Sequence, residues 1–203
     1  MLTVAHIKAL NIEMSSACIG KCPFCSRDQK VRPYGTHMIR LDDVKHLPEK
    51  LIRQLKWISF SGNFGDFSTN PEMVAVAAYI KNLNPDIVLG GDTNGASQDE
   101  DWWAALGSYF KNGSMVFSVD GLEDTHARHR VGTHYPKIIR NITAFTRAGG
   151  KAHWKFIVFA HNEHQVAQAK AIAGKIGCAR FFAIPSRDYN DRLKPPETIK
   201  IQI

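Results

Sequence analysis

The chain has 203 residues, enough for one sizeable hydrophobic core and too few for two comfortable domains. Apolar residues at 44% and charged residues at 22% fit a globular protein. No apolar run approaches a bilayer span and no basic-then-apolar leader opens the chain, which predicts a cytoplasmic protein without a membrane partner. The formal net charge of +7 leans towards an anionic partner, but no basic run places one, so a nucleic acid such as RNA is permitted rather than indicated.

In chain order, strand and helix patterns alternate. "LNIEMSS" (10–16) switches between apolar and polar residues and reads as a strand. "LDDVKHLPEKLIRQL" (41–55) has helical spacing, interrupted or restarted at Pro48. "WISFSG" (57–62) is β-branched and aromatic, a second strand. "NPEMVAVAAYIKNL" (70–83) opens with Asn70 as a cap and Pro71 just inside, a helix start. "DIVLGG" (86–91) is a third strand. "SQDEDWWAALGSYFKNG" (97–113) is a helix with Ser97 as cap and acids in its first turn. "SMVFSVDG" (114–121) is a fourth strand, and "YPKIIRNITAFTRAGG" (135–150) a helix closed by two glycines. "AHWKFIVFAHN" (152–162), "NEHQVAQAKAIAGKIG" (162–177) and "ARFFAIP" (179–185) complete the series as strand, helix and strand. The polar stretch 186–203 receives no regular structure, so a core domain at 1–185 and a tail at 186–203 are expected.

Regular alternation of this kind predicts an α/β fold with parallel strands and right-handed crossovers. An open doubly wound sheet and a barrel-like curl both fit, and six units are too few for an eightfold barrel. The polar motifs fall after the strands: "CIGKCPFC", "SGNFGD", "GDTNG", "SVDGLED", "HNE" and "PSRD". In parallel α/β folds all such loops share the face where sites are built, so the motifs converge on one mouth.

Cys18, Cys22 and Cys25 lie within eight residues in that first loop. Disulfides are a poor account of them, because Cys22 and Cys25 are too close for an easy bridge and a chain with a full core needs no staple. Clustered cysteines in a reducing compartment bind metal or do redox chemistry. A structural zinc needs a fourth ligand, and Cys178 precedes the sixth strand at the opposite end, where a buried inert thiol is the simpler reading. A four-iron cluster also takes four ligands, so three thiolates leave one iron open, as a catalytic site does.

With Phe24 before its last cysteine, this stretch resembles the signature of the radical S-adenosylmethionine (radical SAM) enzymes. The resemblance implies a [4Fe–4S] cluster on Cys18, Cys22 and Cys25, with the open iron chelating S-adenosylmethionine. It also implies reductive cleavage to a 5′-deoxyadenosyl radical that takes hydrogen from a substrate. The family's core is a partial (β/α)6 TIM-like barrel with parallel strands, in agreement with the unit count. "FSGNFGD" resembles a variant of the Gly-Gly-Glu motif that holds the methionine amino group, through Gly62, Asn63, Gly65 and Asp66, with Asp66 in place of Glu. "DTNG" resembles the Thr-Asn-Gly after strand three, which implicates Thr93 and Asn94. "FSVDG" resembles the Ser-x-Asp segment of strand four, which places Ser118 and Asp120 near the ribose or the methionine end. Arg130 stands where an Arg approaches the methionine carboxylate or the substrate. "FIVFAHN" implies Val158 packing on adenine and Asn162 as a polar contact. "FFAIP" implies a backbone hydrogen bond to adenine at Ile184. Phe24 is expected to shield the cluster.

The same residues also have plainer readings. Asp120 can cap a turn, Arg130 can pair with Glu123 or Asp124, and Asn162 can cap a helix. Trp102 and Trp103 read as packing, and the histidines near the mouth are expected to be solvated. The motifs most resemble SPASM-type members, without their cysteine-rich C-terminal domain. An open barrel is therefore expected, closed by a partner, a large substrate or another subunit. The expected partners are a flavodoxin- or ferredoxin-like electron donor and a peptide, protein or small-molecule substrate. A cluster- or zinc-binding assembly protein without turnover and a nucleotide- or RNA-modifying enzyme are the alternatives.

Overall fold

Each of the six predicted strands is present in the computed structural model, which describes residues 6–25 and 36–198. They are β1 (Ala9–Asn11), β2 (Trp57–Phe60), β3 (Val88–Thr93), β4 (Ser114–Ser118), β5 (Ala152–Val158) and β6 (Arg180–Pro185). All pairings are parallel and the sheet runs β1-β2-β3-β4-β5-β6. That order decides between the two candidate architectures. Right-handed crossovers that always step the same way put every helix on one face, whereas a doubly wound sheet reverses its order. The fold is therefore the partial TIM-like barrel, with β1 and β6 at the edges of the described sheet.

Alternation along the strands builds the core. Phe60, Leu89, Met115, Phe117, Trp154 and Phe156 are fully buried on the helix-covered side. They meet helices α3 (Met73–Leu83), α4 (Glu100–Gly107), α6 (Tyr135–Arg147) and α7 (Val166–Lys175) through residues such as Val76, Ile80, Leu106, Ile142, Phe145 and Ala169. Trp103 sits among Phe67, Phe117 and Phe145 at centroid distances of 6.3, 5.1 and 6.1 Å, and its indole N–H donates to the Ser97 carbonyl at 2.9 Å. Trp102 lies at the rim of this packing.

Some boundaries differ from expectation for local reasons. The pattern at 41–55 divides at Pro48 into α1 (Leu41–Lys45) and α2 (Glu49–Gln54). Regular helix α3 begins at Met73, one turn after Asn70, whose side-chain oxygen still accepts from the Glu72 amide at 3.0 Å as a cap does, while its NH2 donates to the Met14 and Ile39 carbonyls at 3.1 and 2.8 Å. Helix α4 is capped by Asp99, whose carboxylate accepts from the Trp102 amide at 2.9 Å, rather than by Ser97. A short helix, α5 (His126–His129), follows β4 unannounced by any periodicity. The tail is ordered as far as it is described: Leu193 is buried, the Ala160 amide donates to the Lys194 carbonyl at 3.0 Å, and Glu163 accepts from the Glu197 and Thr198 amides. Residues 1–5, 26–35 and 199–203, which include the start of the chain, Ser26 and Arg27 after the cysteines, and the end of the tail, lie outside the described residues. Among the described residues no helix is long and apolar enough to cross a membrane.

Candidate functional site

The loop after β1 carries the three cysteines, half-buried and outside any disulfide, at the carboxyl end of the sheet. Its turn is closed by the Cys25 amide donating to the Cys22 carbonyl at 3.1 Å. Its far side is stitched to the segment after α5 by the Lys21 amide on the Val131 carbonyl at 2.8 Å. Gly20 lies between two of the thiols: a Cβ there would stand 3.5 Å from the Cys18 sulfur and 3.7 Å from the Cys22 sulfur. Among the described residues no three His, Cys, Asp or Glu side chains are gathered closely enough for one metal ion. Cys178 packs before β6 at the opposite end of the sheet, where burial pushes its thiol up to about 12.

The loop after β2 packs on the cysteine loop through its backbone. A Cβ on Gly65 would come within 2.2 Å of the Ser15 carbonyl oxygen and 2.6 Å of the Ala17 one, and a Cβ on Gly62 would strike the Gly65 carbonyl. These glycines are required by chain-to-chain approach. Asp66 is buried, and its carboxylate accepts from the Ser68 amide and hydroxyl at 3.0 and 2.7 Å, the Thr93 hydroxyl at 2.9 Å and the Asn94 amide at 2.6 Å. It ties the end of β3 to the loop after β2 and faces inward. Asn63 and Phe64 are held by Glu13, a residue that no motif singled out: its carboxylate accepts from both backbone amides at 3.0 Å and from the Asn63 side chain at 2.9 Å. Asn94 reaches the cysteine loop itself, with Nδ2 3.4 Å from the Cys18 sulfur.

A second buried carboxylate, Asp120, lies beyond β4. It accepts from the Ile157 amide at 2.7 Å, from His129 Nδ1 at 2.8 Å and from Arg130 Nε at 2.5 Å. Burial raises its pKa, but Arg130, His129 and the Ile157 amide outweigh that and hold it well below the usual carboxylate range. Arg130 therefore pairs with Asp120 rather than with Glu123 or Asp124, and its Nη1 stands 3.9 Å from the Cys22 sulfur. Burial pushes the Cys22 thiol up, and the Arg130 guanidinium opposes it. His126 is buried too: its Nδ1 accepts from the Asp120 amide at 3.3 Å, so Nε2 carries the proton and donates to Thr133 at 2.9 Å. Of this network the sequence singled out Asp120 and Arg130, but not their pairing with each other, and not His126 and His129, which looked like solvated residues.

The remaining predicted residues separate by face. Ser118 and Ile184 lie on the inner face, as does Ile157, which is in register with Ile184. Val158 is on the other side, fully buried under the helices, because strand residues alternate. Asn162 is fully buried and spans the end of β5, accepting from the Phe159 amide at 2.7 Å and donating to the Ile157 carbonyl at 3.1 Å, without capping the following turn. Phe24 begins a string of rings: it lies 6.5 Å from His129, which lies 4.8 Å from Phe159, which stacks on His161 at 5.4 Å. Burial, then Arg128, pushes His161 down to about 4.

This donor set fits an iron–sulfur cluster. Three thiols share one loop, two of them flanking Gly20, without converging as the ligands of a single ion do, and two of the sulfurs already have N–H donors, the usual outer contacts of cluster thiolates.

Comparison with known proteins agrees. The family profile of the Radical SAM superfamily matches residues 12–169. SuiB of Streptococcus suis bound to its precursor peptide SuiA superposes with a TM-score of 0.65 at 16% identity, over 87% of this chain and 39% of that one. Native anSMEcpe with bound AdoMet gives 0.67 at 19% identity, over 89% and 52%. With bound AdoMet and the Cp18Cys peptide, anSMEcpe gives 0.66 at 16% identity, over 92% and 54%. The chain thus spans between two fifths and about half the length of these structures. No curated protein matches the sequence.

Proposed function

Because this chain belongs to the radical SAM superfamily, whose enzymes use a [4Fe–4S] cluster and S-adenosylmethionine, we propose that it forms the core of an enzyme abstracting hydrogen from a peptide or protein side chain. The observation that carries the reading is the placement of Cys18, Cys22 and Cys25 at the carboxyl end of β1, with donors from the ends of β3 and α5 on two of the sulfurs.

Cys18, Cys22 and Cys25 would hold the cluster and leave one iron without a protein ligand. When bound, the cluster supplies the electron for reductive cleavage of S-adenosylmethionine, itself refilled by a flavodoxin- or ferredoxin-like donor. Asn94 and Arg130 steady the thiolates. Arg130, whose Nη1 stands 3.9 Å from the Cys22 sulfur, would suit a methionine carboxylate. The methionine ammonium would meet backbone carbonyls of residues 61–64, since the Asp66 and Glu13 carboxylates are already filled by N–H and O–H donors. Ile157 and Ile184 supply an apolar wall for adenine on the inner face, with Ser118 beside it towards the ribose. Phe24, against His129, screens the site from water.

Two observations support a peptide substrate. SuiB and anSMEcpe, which share the fold, are seen with peptides. The inner face of this sheet is open and mixed, with Trp57, Val88 and Phe182 exposed around an ion pair between Lys155 and Asp92 at 3.1 Å. Such a wall can take both the apolar and the amide parts of a peptide.

The test is anaerobic reconstitution with iron and sulfide, followed by dithionite and S-adenosylmethionine. The expected product is 5′-deoxyadenosine, and none from a fully loaded protein would sink the proposal. Changing Cys22→Ala is expected to abolish iron uptake. Retention of four irons in that variant would show that the ligands are assigned wrongly.

A further inference from the structure

The two buried carboxylates of the mouth perform parallel tasks. Asp66 accepts the Asn94 amide, and the Asn94 side-chain oxygen is occupied by the Ala96 amide at 2.9 Å, which leaves Nδ2 directed at the Cys18 sulfur. Asp120 accepts Arg130 Nε, which leaves Nη1 directed at the Cys22 sulfur. Neither aspartate is within the cysteine loop, and each sits fully or almost fully out of solvent. One donor is a neutral amide and the other a guanidinium whose countercharge is buried behind it.

We infer that Asp66 and Asp120 are positioning residues for the cluster, each fixing a donor on a different cysteine sulfur, neutral on Cys18 and cationic on Cys22. The inference rests on the cluster reading proposed above. Hydrogen bonds to the sulfurs and nearby charge set the reduction potential of an iron–sulfur centre. Reduction adds negative charge, so an N–H donor on a thiolate favours the reduced form, and a cationic donor favours it more than an amide does. The Arg130 contact therefore holds the potential up more than the Asn94 contact does. Asp120 sets that contact although it touches no sulfur.

The experiment is an EPR-monitored redox titration of the reconstituted full chain without S-adenosylmethionine, with iron and sulfide counted per chain. Asn94→Ala is expected to make the midpoint modestly more negative. The double variant Asp120→Asn/Arg130→Gln removes one charge of each sign and leaves no orphan carboxylate. Its one-electron reduction equilibrium is expected to fall about tenfold, ~59 mV. Asp120→Asn alone separates positioning from simple electrostatics. Neutralising a nearby anion would raise the midpoint, whereas releasing Arg130 from Cys22 lowers it. A fall supports the inference, and a rise or no change overturns the role of Asp120. Should the single variant fail to load iron, the double variant decides: an unchanged midpoint there overturns the inference. Wild-type protein that takes up no iron and sulfide would remove the cluster reading and this inference together. Loaded proteins with equal midpoints remove the inference alone.

Discussion

Trp154 and Lys155 are neighbours on β5, yet Trp154 is completely buried beneath the helices while the Lys155 side chain stands 29% exposed on the inner face. The same contrast repeats along the sheet. Phe60, Leu89 and Phe117 are sealed, and their strand neighbours Ser59, Val88 and Val116 line the open side. One face is close-packed hydrocarbon, where every methylene contributes to stability. The other is a half-covered wall of mixed chemistry, the side on which the proposed substrate would lie. The mouth, at the carboxyl edge, belongs to neither: it is buried like the first face and polar unlike it.

The largest expected effect tests the covered face. Trp154→Ala removes a fully buried indole and its N–H bond to the Val119 carbonyl, and should cost about 3–5 kcal/mol in urea unfolding. A loss under about 1 kcal/mol would erase the distinction between the faces. Next comes the mouth. Burial above all, with Arg130 and His129 acting against Asp120, pushes His126 down to about 4. An imidazole whose folded pKa is lowered contributes stability that is fully present above its unfolded value of about 6.5 and is lost as pH falls towards 4. The protein should therefore lose about 2 kcal/mol between pH 7 and pH 5, and His126→Gln should flatten that slope. An unchanged slope in the variant would place the acid sensitivity elsewhere. Asp120 acts in a different window. Its lowered pKa keeps its contribution above about pH 4 and surrenders it only in stronger acid.

The open face should respond least in stability and most in substrate handling. Lys155→Met breaks an exposed ion pair, which costs under about 1 kcal/mol. The same change is expected to weaken peptide turnover while substrate-free cleavage of S-adenosylmethionine continues, as chromatography of 5′-deoxyadenosine would show. Trp57→Ser, at a half-exposed position, should change the unfolding free energy by no more than ~0.5 kcal/mol. Large destabilisation by either variant would mean that the inner face is structural.

Strand placement was legible in the sequence because each strand is a short β-branched or aromatic run bounded by a polar motif, as in "WISFSG" and "ARFFAIP". Helix ends were less legible. Asn70 has every mark of a cap and its oxygen does accept from the Glu72 amide, but its NH2 also ties Met14 and Ile39, and regular helix starts only at Met73. In the site, the cysteines and their neighbours along the mouth could be listed in advance, while their contacts could not. Asp66 looked like a ligand for an ammonium and is filled by Thr93, Asn94 and Ser68. Val158 and Ile157 differ by one position, and a one-residue difference decides which face a strand side chain joins. Glu13 carries no motif at all, since its role exists only when the β2 loop lies across it.

By itself, the sequence determined the alternation of elements, the parallel sheet and the three-thiolate loop, because these rest on local periodicity and on residue types that few other structures use. The tertiary structure alone decided that the strands follow one another without reversal, that Arg130 turns to Asp120, and that Asn94 and Arg130 finish on two different sulfurs. Those outcomes depend on pairings between residues ten to more than a hundred positions apart, and a carboxylate does not announce in its own neighbourhood which donor will reach it first.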